Sequence, residues 1–439
     1  KYLNFPLYSN ARVFIISFPE ITEGATIEYT VTLSRSQLIN KDDFVIPLTM
    51  QAREPVIDSR FSLTMPAGRT VRMRTINERY NTFGADLAPA VSVQPGSRTY
   101  RWHCKNIPQI IPEPQMPPAH EINPAILISS FESWQELYDW WWPLAQDKIR
   151  SDEAIRQKVA ELAGGRVSDE GRLRAIHNFC AQKIRYVAVE YGQAGYEPHQ
   201  AADIFQNKYG DCKDQSILLV TMLREAGFDA WPVLIPTRDS FAMDPDFPSM
   251  LFNHCIAAVA WNGELVFMDP TAETCSFKDL PAADQDRTAL VIKENGYEIT
   301  RTPLYPARHN TVSQRLSLVI GADEGISGER AVSSSGVYDQ AQRYWLLYTI
   351  PDMVKDTIAG KIQEFSIGAQ LDGYVVDNLN DLDKPLVLRY SFTGPEFMIP
   401  AGPLRILPGF AGIDMSAVAK AARAYPIFYP VLDQKDVET

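Results

Sequence analysis

The alternation of apolar and polar residues predicts a β-rich first part of the chain. Short β-prone runs, separated by proline, glycine and polar turns, lie at 11–18, 25–33, 44–50, 58–65, 70–75 and 98–103. Apolar and polar residues alternate from Ile27 to Leu33, as they do in a strand with one buried face. The spacing of these runs predicts a β-sandwich-like domain over residues 1–106. Residues 107–125 carry six prolines and form a proline-rich connector, because proline resists both helix and sheet.

Helical periodicity replaces this pattern after residue 126. Apolar residues recur at three- and four-residue steps from Phe131 to Trp141, with Ser133 as the expected N-cap. Further helices are predicted at 151–163, at 168–184 and from Cys212 onward, followed by strands at 230–235, 288–293 and 297–302 and a hairpin over 254–271. Antiparallel strands backed by one helix predict an α+β core over residues 126–305.

Residues 306–439 are predicted to form a second β-rich domain with short helices. Strand patterns at 314–320, 328–335, 373–376 and 385–392 surround helical patterns near 338–348 and 351–365. Neither this domain nor the first one contains a recognisable catalytic combination of residues.

Composition adds a few limits. A length of 439 residues suits about three domains of roughly 150 residues each. The net charge of −12 argues against a nucleic-acid or anionic-membrane partner, and no apolar run approaches the roughly 18 residues of a membrane span. The five cysteines form no Cys-x-x-Cys motif, which argues against a structural zinc site. Disulfide pairing stays open for Cys104, Cys180, Cys255 and Cys275.

The segment 209–214, Tyr-Gly-Asp-Cys-Lys-Asp, precedes an apolar run with helical spacing. Asp211 is the expected N-cap, so Cys212 would lie in the first turn of a helix. Free backbone N–H groups and the positive end of the helix dipole favour a thiolate there, and the thiolate is the nucleophilic form. Lys213 adds a positive charge next to it. Most cysteines are nevertheless buried small apolar residues, so this position alone does not establish catalysis.

An Asn-Gly dipeptide after Trp261 lies between two β-prone runs and predicts a two-residue hairpin turn. If Trp261 pairs with Glu264, His254 and Asp269 lie on one face of the hairpin, about 7 Å apart. A shift of one residue would put them on opposite faces. Taken alone, His254 could equally be a core histidine and Asp269 a turn former at a strand end.

A cysteine at a helix start, a histidine on a strand and an aspartate on the next strand are the parts of an activated thiol nucleophile. The imidazole takes the thiol proton, and the carboxylate orients the imidazole. We therefore predict Cys212 as nucleophile, His254 as base and Asp269 as orienting acid. The loop before the nucleophile offers Gln193 and, as a second choice, Tyr191 as weak candidates for donors to the oxyanion of the intermediate, although for either one a role as a turn residue is the more common case.

The chain resembles the transglutaminase-like superfamily, in which a cysteine at the start of a core helix meets a histidine and an aspartate from adjacent strands. The resemblance rests on Tyr-Gly-Asp-Cys-Lys-Asp around Cys212, Phe-Asn-His ending at His254 and Met-Asp-Pro-Thr around Asp269. Arg-Tyr at 185–186 and Gly-Tyr-Glu-Pro at 195–198 also match a bacterial subgroup with β domains on both sides of the core.

The resemblance implies a multidomain α+β fold, with a papain/transglutaminase-like α+β core flanked by two β-rich, sandwich-like domains. It also implies further N-terminal strands before residue 1 and favours a periplasmic or otherwise exported location, while a cytoplasmic one stays open.

The implied activity is thiol acyl transfer, as in a cysteine peptidase, an amidase or a transglutaminase-type acyltransferase. The expected partner is a peptide or protein amide substrate. Hydrolysis through a Cys212 thioester is preferred to transfer because no acceptor-binding feature is visible, and this chemistry requires no metal or organic cofactor. The alternative is a non-catalytic peptide- or protein-binding scaffold with the same fold, against which the presence of all three site residues argues. The oligomeric state and the identity of the substrate stay open.

Overall fold

The computed structural model describes residues 15–34, 40, 42–165, 168–188, 195–364, 366–395, 397–406 and 422–438. Its first part contains two three-stranded antiparallel sheets. The strands are β1 (Val45–Thr49), β2 (Val56–Pro66), β3 (Arg72–Ile76), β4 (Ala90–Gln94), β5 (Ser97–Ile107) and β6 (Ala125–Ser129). One sheet has the order β2-β5-β4 and the other β1-β6-β3. Residues of both sheets, including Met65, Trp102 and Ile128, share one apolar cluster.

Strand β6 lies in the middle of the second sheet, paired with β1 and β3 on its two edges. The domain boundary predicted from the sequence, at residue 126, places most of this strand in the central α+β core rather than with the N-terminal strands it pairs with. All five of its residues are buried, because one face meets the N-terminal cluster and the other meets the helical core. A strand buried on both faces reads as a continuous apolar run and carries no alternation that would reveal its partners.

The strand expected at 25–33 is wrong. Residues 15–34 form no strand, and the apolar side chains at alternate positions are exposed, from 46% for Ile27 to 88% for Leu33. No described strand pairs with this stretch, and a single extended segment leaves its N–H and C=O groups without partners in a sheet. The run expected at 11–18 is not a strand over 15–18, and its first residues lie outside the described part of the chain.

The central part of the chain places helices against a five-stranded antiparallel sheet. The helices are α1 (Ala119–Ile122), α2 (Trp134–Ala145), α3 (Glu153–Ala163), α4 (Asp169–Lys183), α5 (Ala201–Asn207) and α6 (Cys212–Glu225). Two short parallel strands, β7 (Arg185–Tyr186) and β8 (Tyr209–Gly210), lie beside the start of α6. The sheet has the order β11-β10-β9-β12-β13. Its strands are β9 (Ala230–Ile235), β10 (His254–Trp261), β11 (Glu264–Met268), β12 (Thr288–Lys293) and β13 (Gly296–Arg301).

Helix α6 is the centre of this part. Every residue from Cys212 to Leu223 is buried, with the sheet strands β9 and β10 on one side and α3, α4 and α5 around the rest. A helix that is surrounded in this way cannot move without disrupting the core, so its first turn is a rigid support. Ser216 adds a directional contact, since its hydroxyl donates to the carbonyl of Cys255 on β10 at 2.8 Å.

The last part of the chain forms another five-stranded sheet, in the order β16-β17-β15-β14-β20. Its elements are β14 (Thr311–Ile320), β15 (Ile326–Ser334), α7 (Val337–Tyr348), α8 (Pro351–Gln363), β16 (Gln370–Asp377), β17 (Val387–Gly394), a small hairpin of β18 (Ile399–Ala401) and β19 (Leu404–Ile406), and β20 (Gln434–Glu438). Helix α8 buries Val354, Ile358 and Ile362 against the sheet. Helix α7 reaches the central part, where the Tyr348 hydroxyl donates to Glu273.

Within the described ranges, no helix is both long enough and apolar enough to cross a membrane.

Candidate active site

Cys212 is the first residue of α6, and its position is fixed by a reciprocal cap. The Asp211 carboxylate accepts from the backbone N–H of Asp214, and the Asp214 carboxylate accepts from the N–H of Asp211, each at 3.3 Å. Gly210 makes room for this cap, because a Cβ there would lie 2.5 Å from the Cβ of Asp214. The N-cap expected from the sequence is therefore correct, and Asp214 completes it.

Lys213 does not stand free beside the sulfur. Its ammonium group forms a buried ion pair with Asp211, and both side chains are almost fully enclosed. Burial, followed by repulsion from Asp214, raises the pKa of Asp211 even though Lys213 lowers it. The positive charge that the sequence suggested for the thiol is thus largely neutralised by the cap residue itself, and the helix N-terminus and His254 are left as the cationic influences on Cys212.

Asp214 has a further partner that the sequence did not suggest. Its Oδ1 accepts from the backbone N–H of His199 at 2.8 Å, and the His199 imidazole lies 3.1 Å from its Oδ2. The segment that enters α5 is thereby tied to the cap of α6. This contact joins residues 15 positions apart with no shared strand or helix, so no periodic pattern could have indicated it.

The β10–β11 hairpin has the register that its turn predicts. Asn262 and Gly263 have φ values of 53° and 82°, and Trp261 pairs with Glu264. The paired ladder ends at Ala257 and Met268; His254 lies further along β10, and Asp269 directly follows Met268. His254 and Asp269 consequently lie on one face, and His254 Nε2 is 3.2 Å from Asp269 Oδ2.

Asp269 is held as a carboxylate by three hydrogen bonds. Its Oδ1 accepts from the Thr271 backbone N–H at 2.9 Å and from the Thr271 hydroxyl at 2.7 Å, while Oδ2 faces His254. Burial alone would raise the pKa of Asp269, but the charge and hydrogen bond of His254, together with the Thr271 donors, lower it. The turn residues after β11 therefore orient the carboxylate as well as stabilise its charge.

His254 connects the acid to the thiol. An interaction with the Cys212 side chain contributes to the raised pKa of the His254 imidazole, whose Nε2 faces Asp269. Burial by itself lowers the pKa of His254, but the charge and hydrogen bond of Asp269, followed by the interaction with Cys212, raise it well above the usual range. The arrangement consequently favours a protonated imidazole beside the Cys212 sulfur.

The other four cysteines are chemically different from Cys212. All five cysteines are free and buried. Burial raises the pKa of Cys104, Cys180, Cys255 and Cys275, which keeps these thiols protonated and unreactive. Among these cysteines, Cys212 is the one whose side chain interacts with His254. The disulfide pairing that the sequence left open does not occur in the structure, where all five cysteines are free thiols.

A cavity of about 550 Å³ opens beside His254. One wall is the end of α4 with β7, and the other is the C-terminal end of α7. Tyr344 and Tyr348 of α7 pack with ring centroids 4.8 Å apart, and the hydrogen bond to Glu273 raises the pKa of Tyr348 to about 12. Lys183 and Arg185 line the opposite wall and form no salt bridge with any residue that the structure describes.

Two of the predicted site residues cannot be assigned a position. Gln193 and Tyr191, the expected oxyanion donors, lie outside the described residues. The structure instead adds Asp284, whose carboxyl group lies beside His254 and Asp269, with one acceptor or donor atom from each residue within 4.8 Å of the others. This spacing is also that of metal ligands; in the structure, Nε2 of His254 and both oxygens of Asp269 take part in hydrogen bonds.

Two family models match the chain. Residues 1–111 match a domain of unknown function with a solved structure (DUF3857), and residues 156–270 match the transglutaminase-like superfamily. The second segment contains Cys212, His254 and Asp269. A search of curated proteins finds no match to the chain.

Solved structures show distant similarity. A putative protease from Parabacteroides distasonis ATCC 8503 is 10% identical with a TM-score of 0.47, over 80% of this chain and 69% of that one. A putative cysteine protease from Cytophaga hutchinsonii is 12% identical with a TM-score of 0.24, over 52% and 78%. The periplasmic domain of TgpA from Pseudomonas aeruginosa is 12% identical with a TM-score of 0.22, over 55% and 85%. These similarities are too low to carry an argument about function.

Proposed function

Because residues 156–270 match the transglutaminase-like superfamily, we propose that the protein is a cysteine acyl-transfer enzyme that hydrolyses peptide-like amides. The observation that carries the proposal is the continuous contact from Cys212 through His254 to Asp269 at the buried start of α6. A scaffold that only binds peptides would have no need for an imidazole between a thiol and a buried carboxylate.

The first half of the reaction forms a thioester. The Cys212 thiolate attacks the amide carbonyl carbon, an S–C bond forms, and the carbonyl π electrons move to oxygen. When the carbonyl reforms, the C–N bond breaks and the His254 imidazolium gives its proton to the departing amine. Asp269 keeps the imidazole oriented during both proton transfers.

The second half of the reaction releases the acyl group. Neutral His254 accepts a proton from water, and the resulting hydroxide attacks the thioester carbonyl. The C–S bond breaks, a carboxylic acid leaves, and the thiolate is restored beside a protonated imidazole. An amine in place of water would give transfer instead, through the same steps.

The start of α6 can also stabilise the oxyanion. The backbone N–H of Cys212 is at the N-terminus of the helix and donates to no acceptor among the described residues. It is therefore available to a negatively charged oxygen on the carbon that the sulfur attacks, and the helix dipole favours that charge.

The cavity beside His254 supports a peptide-like substrate. Its volume of about 550 Å³ falls in the usual range of small-ligand sites, and its walls combine two packed tyrosines with two cations and one carboxylate. Lys183 and Arg185 carry two positive charges against one negative charge on Glu273, so a substrate with a carboxylate near the scissile amide is favoured over a basic one.

Trapping of the acyl group tests the proposal. The full chain is incubated with a set of peptide amides, quenched in acid and weighed by mass spectrometry, and the modified residue is located by fragmentation. We expect an acyl adduct on Cys212 that is absent from Cys212→Ser and from His254→Ala. Cys104→Ser, which removes a buried thiol in the N-terminal sheets, is the matched control and should keep the adduct.

Binding of a peptide without any adduct or cleavage would instead support the scaffold. The exported location implied by the family resemblance is part of the same proposal, and cell fractionation with an antibody against the chain tests it.

A further inference from the structure

A buried carboxyl group that the proposed reaction does not use lies next to the site. Asp284 ends a short 3₁₀ helix, Ala282–Asp284, and is 2% exposed. Its Oδ2 is buried and has no hydrogen-bond partner among the described residues. The side chain faces His254 and Asp269, with one polar atom of each of the three residues within 4.8 Å of the others.

The loop that carries Asp284 is held firmly by its backbone. The Thr302 hydroxyl donates to the carbonyl of Asp284 at 2.5 Å, and the N–H of Arg238 donates to the carbonyl of Ala283 at 2.8 Å. The nearby Arg287 is occupied elsewhere, since its guanidinium donates to the carbonyls of Pro236 and Ser240. The position of the Asp284 carboxyl is therefore set by the fold, and no salt bridge to a described residue neutralises it.

Two neighbouring buried acids cannot both be ionised without a large energetic cost. Asp269 has the imidazolium and two Thr271 donors to stabilise its charge, whereas Asp284 has no such donor. The proton of the pair therefore belongs on Asp284. Burial and then the charge of Asp269 raise the pKa of Asp284 well above the usual range, although His254 and Arg287 oppose this.

We propose that Asp284 is a neutral carboxylic acid that donates a hydrogen bond to Asp269 and so positions the carboxylate that orients His254. Asp284 is a positioning residue in this view, because it acts through Asp269 and touches neither the thiol nor the substrate. The inference rests on the proposed function, in which His254 must both accept and release a proton.

The neutral state matters for that exchange. A second ionised carboxylate beside the imidazole would stabilise the imidazolium further, and His254 would then release its proton to the leaving amine less readily. A carboxylic acid supplies the donor without the charge. Asp284 thus restrains the rotation of Asp269 while leaving the basicity of His254 to Asp269 alone.

Two substitutions in the full chain separate these roles. Asp284→Asn keeps the shape and an N–H donor but can never be charged, while Asp284→Leu keeps the approximate volume and removes the donor. The measured quantity is the rate at which iodoacetamide alkylates Cys212 as a function of pH. We expect Asp284→Asn to lie within about twofold of the wild type with the same pH profile, and Asp284→Leu to be about tenfold slower, the usual effect of losing one hydrogen bond to a charged group.

Infrared spectroscopy supplies a readout that a merely structural role would not change. The wild-type spectrum minus that of Asp284→Asn at neutral pH should contain the C=O stretch of a protonated carboxyl group. Asp286→Asn is the matched control, since Asp286 is two residues away and forms a partly exposed salt bridge with Arg301. Asp286→Asn should leave the alkylation profile unchanged.

Three results would overturn the inference: an Asn variant as impaired as the Leu variant, a Leu variant that behaves as the wild type, or a difference spectrum without the protonated carboxyl band. If the Leu variant does not fold, the Asn variant and the spectrum still decide. Failure of the proposed function would be seen separately: Cys212 would then be alkylated at the same rate in the wild type and in His254→Ala.

Discussion

Removal of His254 should convert Cys212 from a thiol that reacts at acid pH into an ordinary one. In the wild type the raised pKa of His254 means that the imidazolium persists through neutral pH, and its positive charge favours the thiolate. The imidazolium is lost only when the pH rises through the raised pKa of His254. As long as the imidazolium is present, we expect the alkylation rate of Cys212 to change little with pH.

The magnitude follows from the behaviour of free thiols. An unperturbed cysteine has a pKa of about 8.5, so at about pH 6 only about one thiol in 300 is a thiolate. In His254→Ala, the alkylation rate should therefore fall about tenfold per pH unit and be about 300-fold lower at about pH 6 than on its alkaline plateau. The wild-type rate should change by no more than a few fold over the same interval.

The assay is iodoacetamide labelling of the native chain, followed by mass spectrometry of the cysteine-containing peptides. Selectivity is favourable because burial raises the pKa values of the other four thiols. Cys212→Ser sets the background. Parallel slopes for the wild type and His254→Ala on the acid side would refute the assignment of His254 as the partner of the thiol, whatever the overall rates are.

Three other predictions concern the groups around this pair. Asp269→Asn should lower the turnover of a peptide amide by about 10⁴-fold, as loss of the orienting carboxylate does in related triads, while peptide binding measured by calorimetry stays within a few fold. Gly210→Ala should destabilise the fold by about 1–3 kcal/mol in urea titrations, because the new Cβ would meet Asp214 and disrupt the cap. Gly360→Ala is the control: this helical glycine has open space around it, so the substitution should not destabilise the fold and should stabilise it slightly. Asp284→Asn should be more stable than the wild type above about pH 5, by up to about 1.4 kcal/mol per pH unit between the unfolded and folded pKa values of Asp284. The two curves of unfolding free energy against pH should converge at about pH 4. Equal curves at alkaline pH would show that Asp284 ionises freely.

The sign of the last effect comes from the direction of the pKa shift. The folded state raises the pKa of Asp284, so folding favours the protonated acid. The stabilisation from that proton is complete below the unfolded pKa of about 3.8 and is lost as the pH rises toward the folded pKa. Asparagine has no proton to lose and avoids this loss. For Asp269 the direction is opposite, and protonation of this carboxylate destabilises the fold as the pH falls.

Local chemistry made much of the site predictable. Asp211 before an apolar helical run marks the start of α6, and the Asn-Gly turn fixes the register of β10 and β11, so Cys212 and the pair of His254 and Asp269 could be placed on their elements in advance. The buried partner of Lys213 was not predictable, because a lysine next to a cysteine reads as an exposed charge until the packing around the helix start is known. The exposed stretch 25–33 shows the converse, since an alternating pattern describes a strand only where a partner strand exists.

Asp269 is separated from His254 by 15 residues, and the same separation lies between Asp269 and Asp284. The first distance could be read from the sequence because a hairpin returns the chain with a fixed register and a period of two. The second could not, because the chain between Met268 and Thr288 has no strand and only a single 3₁₀ turn, so no repeat relates one side chain to the next. Only the packing of that loop against β10 and β12 brings a third titratable group to the pair. A triad can thus be inferred from local rules, whereas the acid that supports it is a property of the tertiary fold.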